Sequence, residues 1–210
     1  MSKIHFNDKV AVITGAGNGI GRAYALELAK RGAKVIVNDL GCDVSGEGID
    51  SASADKVVNE INDKGGTAVA HYADISETAG GNSLIELAVS QFGSLDIVVN
   101  NAGVTRDKNL LKIDESDWDR VLNIHLKGAY NVTRSAVRLM KERNFGRIIF
   151  TTSGVGLYGN FGQTNYAAAK LGLVGFMQTL AIETMKYNIK CNAVAPLAAT
   201  RMTEKLFPPN

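Results

Sequence analysis

The sequence predicts a doubly wound α/β fold, one domain over residues 1–210 with helices on both faces of a parallel sheet. Three observations predict it. Short runs rich in Val and Ile alternate with longer segments of helical spacing, the pattern of repeated βαβ units. Several of those runs, "VAVIT", "KVIVN", "IVVN" and "RIIF", are continuously apolar, as strands covered on both faces must be. The first run opens through a glycine-rich turn into a helix, the arrangement that places a ligand beyond the carboxyl end of a strand.

Six strands follow from the apolar runs: Val10–Thr14, Lys34–Asn38, Ala68–Tyr72, Ile97–Asn100, Arg147–Thr152 and Lys190–Val194. A helix is expected to begin near Ile20, a second to cover "ADKVVNEINDKGG", a long third to carry "DWDRVLNIHLKGAYNVTRSAV" and a fourth to carry "NYAAAKLGLVGFMQTLAIE". Between the second strand and the second helix, "LGCDVSGEGIDSAS" is glycine-rich and polar and is expected as a surface insertion. No internal repeat, low-complexity tract or linker interrupts the pattern.

Composition narrows the function classes. Lys plus Arg number 23 against 21 for Asp plus Glu, and a net charge of +2 lacks the basic excess that nucleic acid requires. No apolar run approaches the ~18 residues of a membrane span, and "MSKIHFNDK" lacks the apolar core of a signal peptide, so no membrane association is expected. A cytoplasmic protein is expected, or a peroxisomal one if the source is eukaryotic or the chain is part of a longer one, although "LFPPN" is no peroxisomal address. Cys42 and Cys191 lie far apart and are expected as reduced thiols. His5, His71 and His125 form no ligand cluster, and no metal is expected.

The turn "TGAGNGIGRAYALELAKRG" provides a candidate phosphate cradle, Gly15, Asn18, Gly19, Ile20 and Gly21. Glycines let backbone approach a pyrophosphate closely, and the N–H groups and dipole at a helix start favour its charge. Glycines at such a turn can also serve the turn alone, so the acid that follows matters. Asp39 closes the second strand about 20 residues after the turn, where a carboxylate can accept both hydroxyls of an adenosine ribose. The same carboxylate repels a 2′-phosphate, so NAD is expected over NADP. Asp74 and Ile75, just after the third strand, are candidate adenine contacts, and Asp74 could equally cap the next helix. Together these residues are expected to form the nucleotide site of a Rossmann fold.

In "TNYAAAK" a phenol and an ammonium stand one helical turn apart, Tyr166 and Lys170. A phenol titrates near ~10, and a fixed ammonium nearby lowers that value toward a usable base. The alanines between them are expected to leave open surface for a nicotinamide ribose and a substrate. Ser153 ends the fifth strand in "IIFTTSGVG", facing the same crevice, where it can hold a substrate oxygen. "NNAG" ends the fourth strand, and its small residues Asn101, Ala102 and Gly103 are expected against the cofactor. On the long third helix, Trp118, Val121, Leu122, Ala129, Val132, Ala136 and Met140 form an apolar stripe that includes His125, while Asn123 falls on the polar side.

T-G-x-x-x-G-x-G, N-N-A-G, Ser and Y-x-x-x-K, in this order, resemble the short-chain dehydrogenase/reductase family over essentially the whole chain. The resemblance implies that Tyr166 is the general base or acid, that Lys170 binds ribose and tunes Tyr166, and that Ser153 positions the reacting oxygen. His125 stands at the inward position where the family keeps a proton-relay asparagine, and is implied as the fourth catalytic residue. Thr200 is implied as a nicotinamide contact, although Leu197 replaces a common glycine and Thr200 comes one residue early. The family's seventh strand and last helix would lie beyond Asn210.

"HLKGAYNVT", the insertion after "NDLG" and "GNFGQTNYAAAKLGL" are similar to the (3R)-hydroxyacyl-CoA dehydrogenase units of peroxisomal multifunctional enzymes of type two and their stand-alone bacterial relatives. That similarity implies NAD-dependent oxidation of an acyl-CoA thioester, (3R)-3-hydroxyacyl-CoA, to the 3-ketoacyl-CoA. It also implies a homodimer or homotetramer paired through the long helices. The scaffold admits other uses: a 3-oxoacyl carrier-protein reductase, a hydroxysteroid dehydrogenase, or a cofactor-sensing protein without turnover.

Overall fold

The computed structural model describes residues 4–198. Its order is β1 (Val10–Thr14), α1 (Gly19–Lys30), β2 (Lys34–Asn38), α2 (Ala52–Asp63), β3 (Thr67–His71), α3 (Thr78–Phe92), β4 (Ile97–Asn100), α4 (Glu115–Leu122), a π turn (Asn123–Lys127), α5 (Gly128–Glu142), β5 (Gly146–Thr151), α6 (Gly154–Tyr158), α7 (Thr164–Glu183), a short 3-10 turn (Met185–Tyr187) and β6 (Ile189–Val194). The strands form one parallel sheet in the order β3-β2-β1-β4-β5-β6. The chain winds outward from β1 to β3 and then returns to β4 beside β1. Ligand crevices of open α/β sheets lie where the winding reverses, here outside the ends of β1 and β4.

Side-chain alternation divides the core between the two faces. Val10 and Val12 pack with Leu84, Ile85, Val132, Phe150 and Leu173, below α3, α5 and α7. Ala11 and Ile13 pack with Ala25, Val35, Val57 and Ile61, below α1 and α2. A buried side chain of this size contributes ~1.5–3 kcal/mol through the water it no longer orders, which makes these two layers the main stabilising term. Continuous burial fails at β6, where Lys190, Asn192 and Val194 are not covered.

The long third helix is not continuous. Asp114 caps it by accepting the Asp117 amide at 2.8 Å, and between α4 and α5 the π turn carries His125. Val121, His125, Ala129, Val132, Ala136 and Met140 are buried, as the stripe predicts, and Asn123 is exposed. Among the described residues no helix is long and apolar enough to cross a membrane. Both cysteines are free thiols.

Candidate active site

Thr14 carries β1 into the glycine turn, and two constraints explain its composition. Gly15 has φ +62° and abuts the next strand's loop, so that a Cβ there would lie 2.7 Å from the Ala102 Cα. A Cβ on Gly21 would lie 2.1 Å from the Gly15 carbonyl oxygen, so the first turn of α1 closes under the loop only without a side chain. Gly21 is therefore a packing residue and does not line the cleft, in contrast to its sequence-based assignment to the cofactor. Asn18 precedes α1 in an extended conformation and makes no capping hydrogen bond, leaving the amides at this helix start without a side-chain cap from the protein.

Asp39 faces the turn. One carboxylate oxygen accepts the Gly17 amide at 2.7 Å and the other the Gly41 amide at 2.7 Å, which fixes the group while leaving each oxygen a further lone pair. On the β4 side, the Asn101 side-chain amide donates to the carbonyls of Thr14 at 3.0 Å and Gly15 at 3.1 Å. The Thr14 hydroxyl accepts the amides of Asn101 and Ala102 in return. Asn101 thus braces the glycine turn with the side chain that sequence reading assigned to the cofactor. Asp74 accepts the Ser76 amide at 2.8 Å, and Glu77, not Asp74, precedes α3.

The N-terminus of α7 is fixed by Asn165, fully buried, whose amide donates to the carbonyls of Arg106 and Asp117 and whose oxygen accepts the Tyr166 amide at 2.8 Å. One turn on, the buried Lys170 ammonium donates to the Thr151 carbonyl at 2.7 Å, 5.5 Å from the Tyr166 ring centre. Ser153 caps α6 by accepting the Val155 amide at 3.2 Å, and it lines the same cleft as Tyr166. The alanines between Tyr166 and Lys170 do not line the cleft. Ala169 packs instead with Val104, Val121 and Ile124, so its small size brings α7 close to α4.

The electrostatic balance differs from the expectation. Burial raises the Tyr166 phenol above its usual value; the hydrogen bond with Ser153 opposes this, and the Asp107 carboxylate adds to the rise. Lys170 does not counter it, because burial pushes its own ammonium down to about 7.

His125 is also buried, and burial first, then the charge of Lys170, lowers its imidazole to about 3, so the ring is neutral. Its Nε2 lies 3.0 Å from the Val104 amide and 2.8 Å from the Val104 carbonyl, so a neutral ring accepts the first or donates to the second. Among the described residues Nδ1 has no partner, and neither nitrogen hydrogen-bonds Tyr166, Ser153 or Lys170. Gly103 makes room for the ring, since a Cβ there would lie 2.2 Å from the imidazole Cε1.

These groups share a cleft of about 580 Å³ that Gly15, Asn18, Gly19, Ile20, Asp39, Asp74, Ile75, Asn101, Ala102, Gly103, His125, Ser153, Tyr166 and Lys170 all line. Thr200 lies outside the described residues. Sequence reading missed Cys42, Asp43, Val44 and Arg120, which form one wall. Only the length of the insertion hinted at the first three, and Arg120, beside Val121 at the edge of the apolar stripe, carried no signal.

A parallel sheet, a glycine turn with an uncapped helix start, an inward carboxylate and a Ser–Tyr–Lys set together define a dinucleotide-binding oxidoreductase fold. The sequence profile described as short chain dehydrogenase matches residues 9–210. The chain belongs to the short-chain dehydrogenase family, whose dehydrogenases use nicotinamide cofactors. It is 53% identical over 206 residues to peroxisomal multifunctional enzyme A of Dictyostelium discoideum, covering 98% of this chain and 46% of that protein. It is 53% identical over 207 residues to peroxisomal multifunctional enzyme type 2 of Mus musculus, covering 99% of this chain and 28% of that protein. The chain thus spans less than half the length of these relatives. A crystal structure of a short chain dehydrogenase from Mycobacterium avium matches with a TM-score of 0.86 at 42% identity, covering 97% of this chain and 72% of that one.

Proposed function

We propose that this protein is an NAD-dependent dehydrogenase that oxidises (3R)-3-hydroxyacyl-CoA to 3-ketoacyl-CoA. The observation that carries the reading is that Ser153, Tyr166 and Lys170 line one cleft with the fixed carboxylate of Asp39. The residues fit a dinucleotide: the turn has no room for side chains at Gly15 and Gly21, and Asp39 offers lone pairs to a ribose diol while opposing a 2′-phosphate. Gly19, Ile20 and Asn18 would hold the pyrophosphate, Asp74 and Ile75 the adenine side, and Tyr166, Lys170 and Thr200 the nicotinamide side. When bound, the nicotinamide supplies the hydride acceptor.

Ser153 and Tyr166 together can hold one substrate oxygen, which aims the carbinol carbon. Tyr166 takes the hydroxyl proton during oxidation and returns it during reduction. Its raised phenol is protonated in the resting protein, so oxidation needs a proton sink. Lys170 supports that role, since an ammonium lowered to about 7 exists in both forms near neutral pH. His125 holds the segment at Val104 and the face of Tyr166, acting as a positioning residue for the base.

The substrate class rests on the motifs "HLKGAYNVT" and "GNFGQTNYAAAKLGL" and on the relatives' names. A peroxisomal location is supported by the same relatives. Pairing of copies through α5 and α7 is supported by the exposed Tyr130, Leu171 and Ile182.

The deciding assay follows NADH absorbance with the two enantiomers of a 3-hydroxyacyl-CoA and with carrier-protein and steroid alcohols. The (3R) thioester is expected to react at least ~100-fold faster than the (3S) form, about 2.7 kcal/mol of transition-state discrimination. Equal rates, or activity on steroid alcohols alone, would overturn the substrate assignment.

A further inference from the structure

The insertion between β2 and α2 is an ordered turn. The Asp43 carboxylate accepts the amides of Ser45 at 2.8 Å and Glu47 at 3.0 Å, and the Asp43 amide donates to the Glu47 carbonyl at 2.9 Å. At its base the Asp50 amide donates to the Leu40 carbonyl. The turn then reaches across the molecule: the Val44 carbonyl accepts the Thr105 amide at 2.9 Å, in the segment that follows β4. Because β2 and β4 flank β1, this bond joins the loops on either side of the glycine turn. Cys42, Asp43 and Val44 wall the cleft along that path.

One side chain from a separate element holds the crossing. Arg120 of α4 donates through Nη2 to the Gly46 carbonyl at 2.7 Å, while its Nη1 lies 3.7 Å from the Asp74 carboxylate. Gly46 has φ +87°, and a Cβ there would lie 3.1 Å from the Arg120 Nε, so the backbone is seated directly against the guanidinium. Arg106 adds an ion pair to Glu47.

We infer that Arg120 is a positioning residue for the dinucleotide: it clasps residues 41–49 as a strap across the cleft and thereby sets how tightly and how long the cofactor is held. This rests on the reading of the cleft as an NAD site. A planar guanidinium can serve the carbonyl and the carboxylate together, which an ammonium, with its single charged nitrogen, cannot do in the same geometry. The wall it holds lies between Asp39 and Val104, so loosening it acts on cofactor retention before it acts on chemistry.

The test compares wild type with Arg120→Met and Arg120→Lys in the full chain. Dissociation constants and release rates for NAD and for AMP are measured, with hydrogen exchange of the amides of residues 44–47 and with KM and kcat. Arg120→Met is expected to weaken NAD and AMP about tenfold, chiefly through faster release, to speed exchange at Ser45 and Glu47, and to raise the KM for NAD more than it lowers kcat. Arg120→Lys should fall between. Unchanged NAD affinity together with unchanged exchange in Arg120→Met would overturn the inference. Should that variant fail to fold by circular dichroism, wild-type values in Arg120→Lys would overturn it equally. Failure of the wild-type protein to bind NAD would instead overturn the reading of the cleft, and exchange in the ligand-free variants would still report whether Arg120 holds the strap.

Discussion

The rings of His125 and Tyr166 meet in a T-shaped contact, with centroids 5.3 Å apart and planes at 86°. A positive ring edge against a π face is a favourable aromatic contact, and it limits how far the phenol can tilt. The neutral imidazole thus contacts the tyrosine through its ring and Val104 through Nε2.

His125→Phe is expected to keep the T-shaped ring contact but leave the Val104 amide and carbonyl without their side-chain partner. Chemical denaturation should show a loss of about 1–3 kcal/mol, the usual cost of a buried polar group left unpaired. Turnover should stay within about tenfold of wild type, and no limb assignable to His125 should appear in the kcat–pH profile between about pH 5 and 8. A loss matching that of Tyr166→Phe would show that the imidazole handles a proton.

Tyr166→Phe is expected to lower kcat by more than about 1000-fold, since the ring still packs but the hydroxyl that exchanges a proton is gone. NAD binding, followed by NADH fluorescence, should change by less than about threefold. Retention of a tenth of kcat, a barrier change below ~1.4 kcal/mol, would remove Tyr166 from its role.

Burial gives Lys170 a pH-dependent effect on stability. The folded protein releases its proton near pH 7, whereas the unfolded chain holds it up to about 10.5. Between these values the unfolded state binds more protons, so this group's contribution to stability improves as pH rises through the window and is most unfavourable below it. Lys170→Met should accordingly melt higher than wild type at pH 7 in cofactor-free protein, with the gap narrowing toward pH 10, while turnover is lost. A gap independent of pH would contradict the assigned titration.

Asp39→Ala should reduce the preference for NAD over NADP by at least about tenfold in kcat/KM, because a ribose acceptor and a repulsive charge disappear together. Asp39→Asn separates the two, keeping one acceptor oxygen while removing the charge. It is expected to admit NADP yet retain NAD better than the alanine variant. Wild-type protein that already prefers NADP would refute the argument.

The parallel core and the candidate trio of Ser153, Tyr166 and Lys170, which line one cleft, were legible because each leaves a mark in local sequence. β1, β2 and β4 have the same bounds by reading and by structure, since apolar runs stop where their neighbours' cover stops. β3, β5 and β6 begin one residue earlier than read, because pairing extends onto Thr67, Gly146 and Ile189 irrespective of their side chains. What escaped depends on tertiary geometry. Nothing in "YAAAK" tells that Ala169 faces α4, and the direction of the phenol's shift depends on how deeply the fold buries Tyr166. The strap was legible as an insertion, but its partner Arg120 is remote in sequence.

The π turn at Asn123–Lys127 places one surplus residue between α4 and α5, and an α-helix advances about 100° per residue. Val121 on the near side feeds the small cluster with Val104 and Ala169, whereas Val132 and Met140 on the far side feed the layer below the sheet. The surplus residue works as a phase shifter that lets the two helical halves address two differently oriented surfaces. Shortening the chain by a single residue here would leave each half a good amphipathic helix on its own, yet put the two halves out of step by more than a quarter of a revolution.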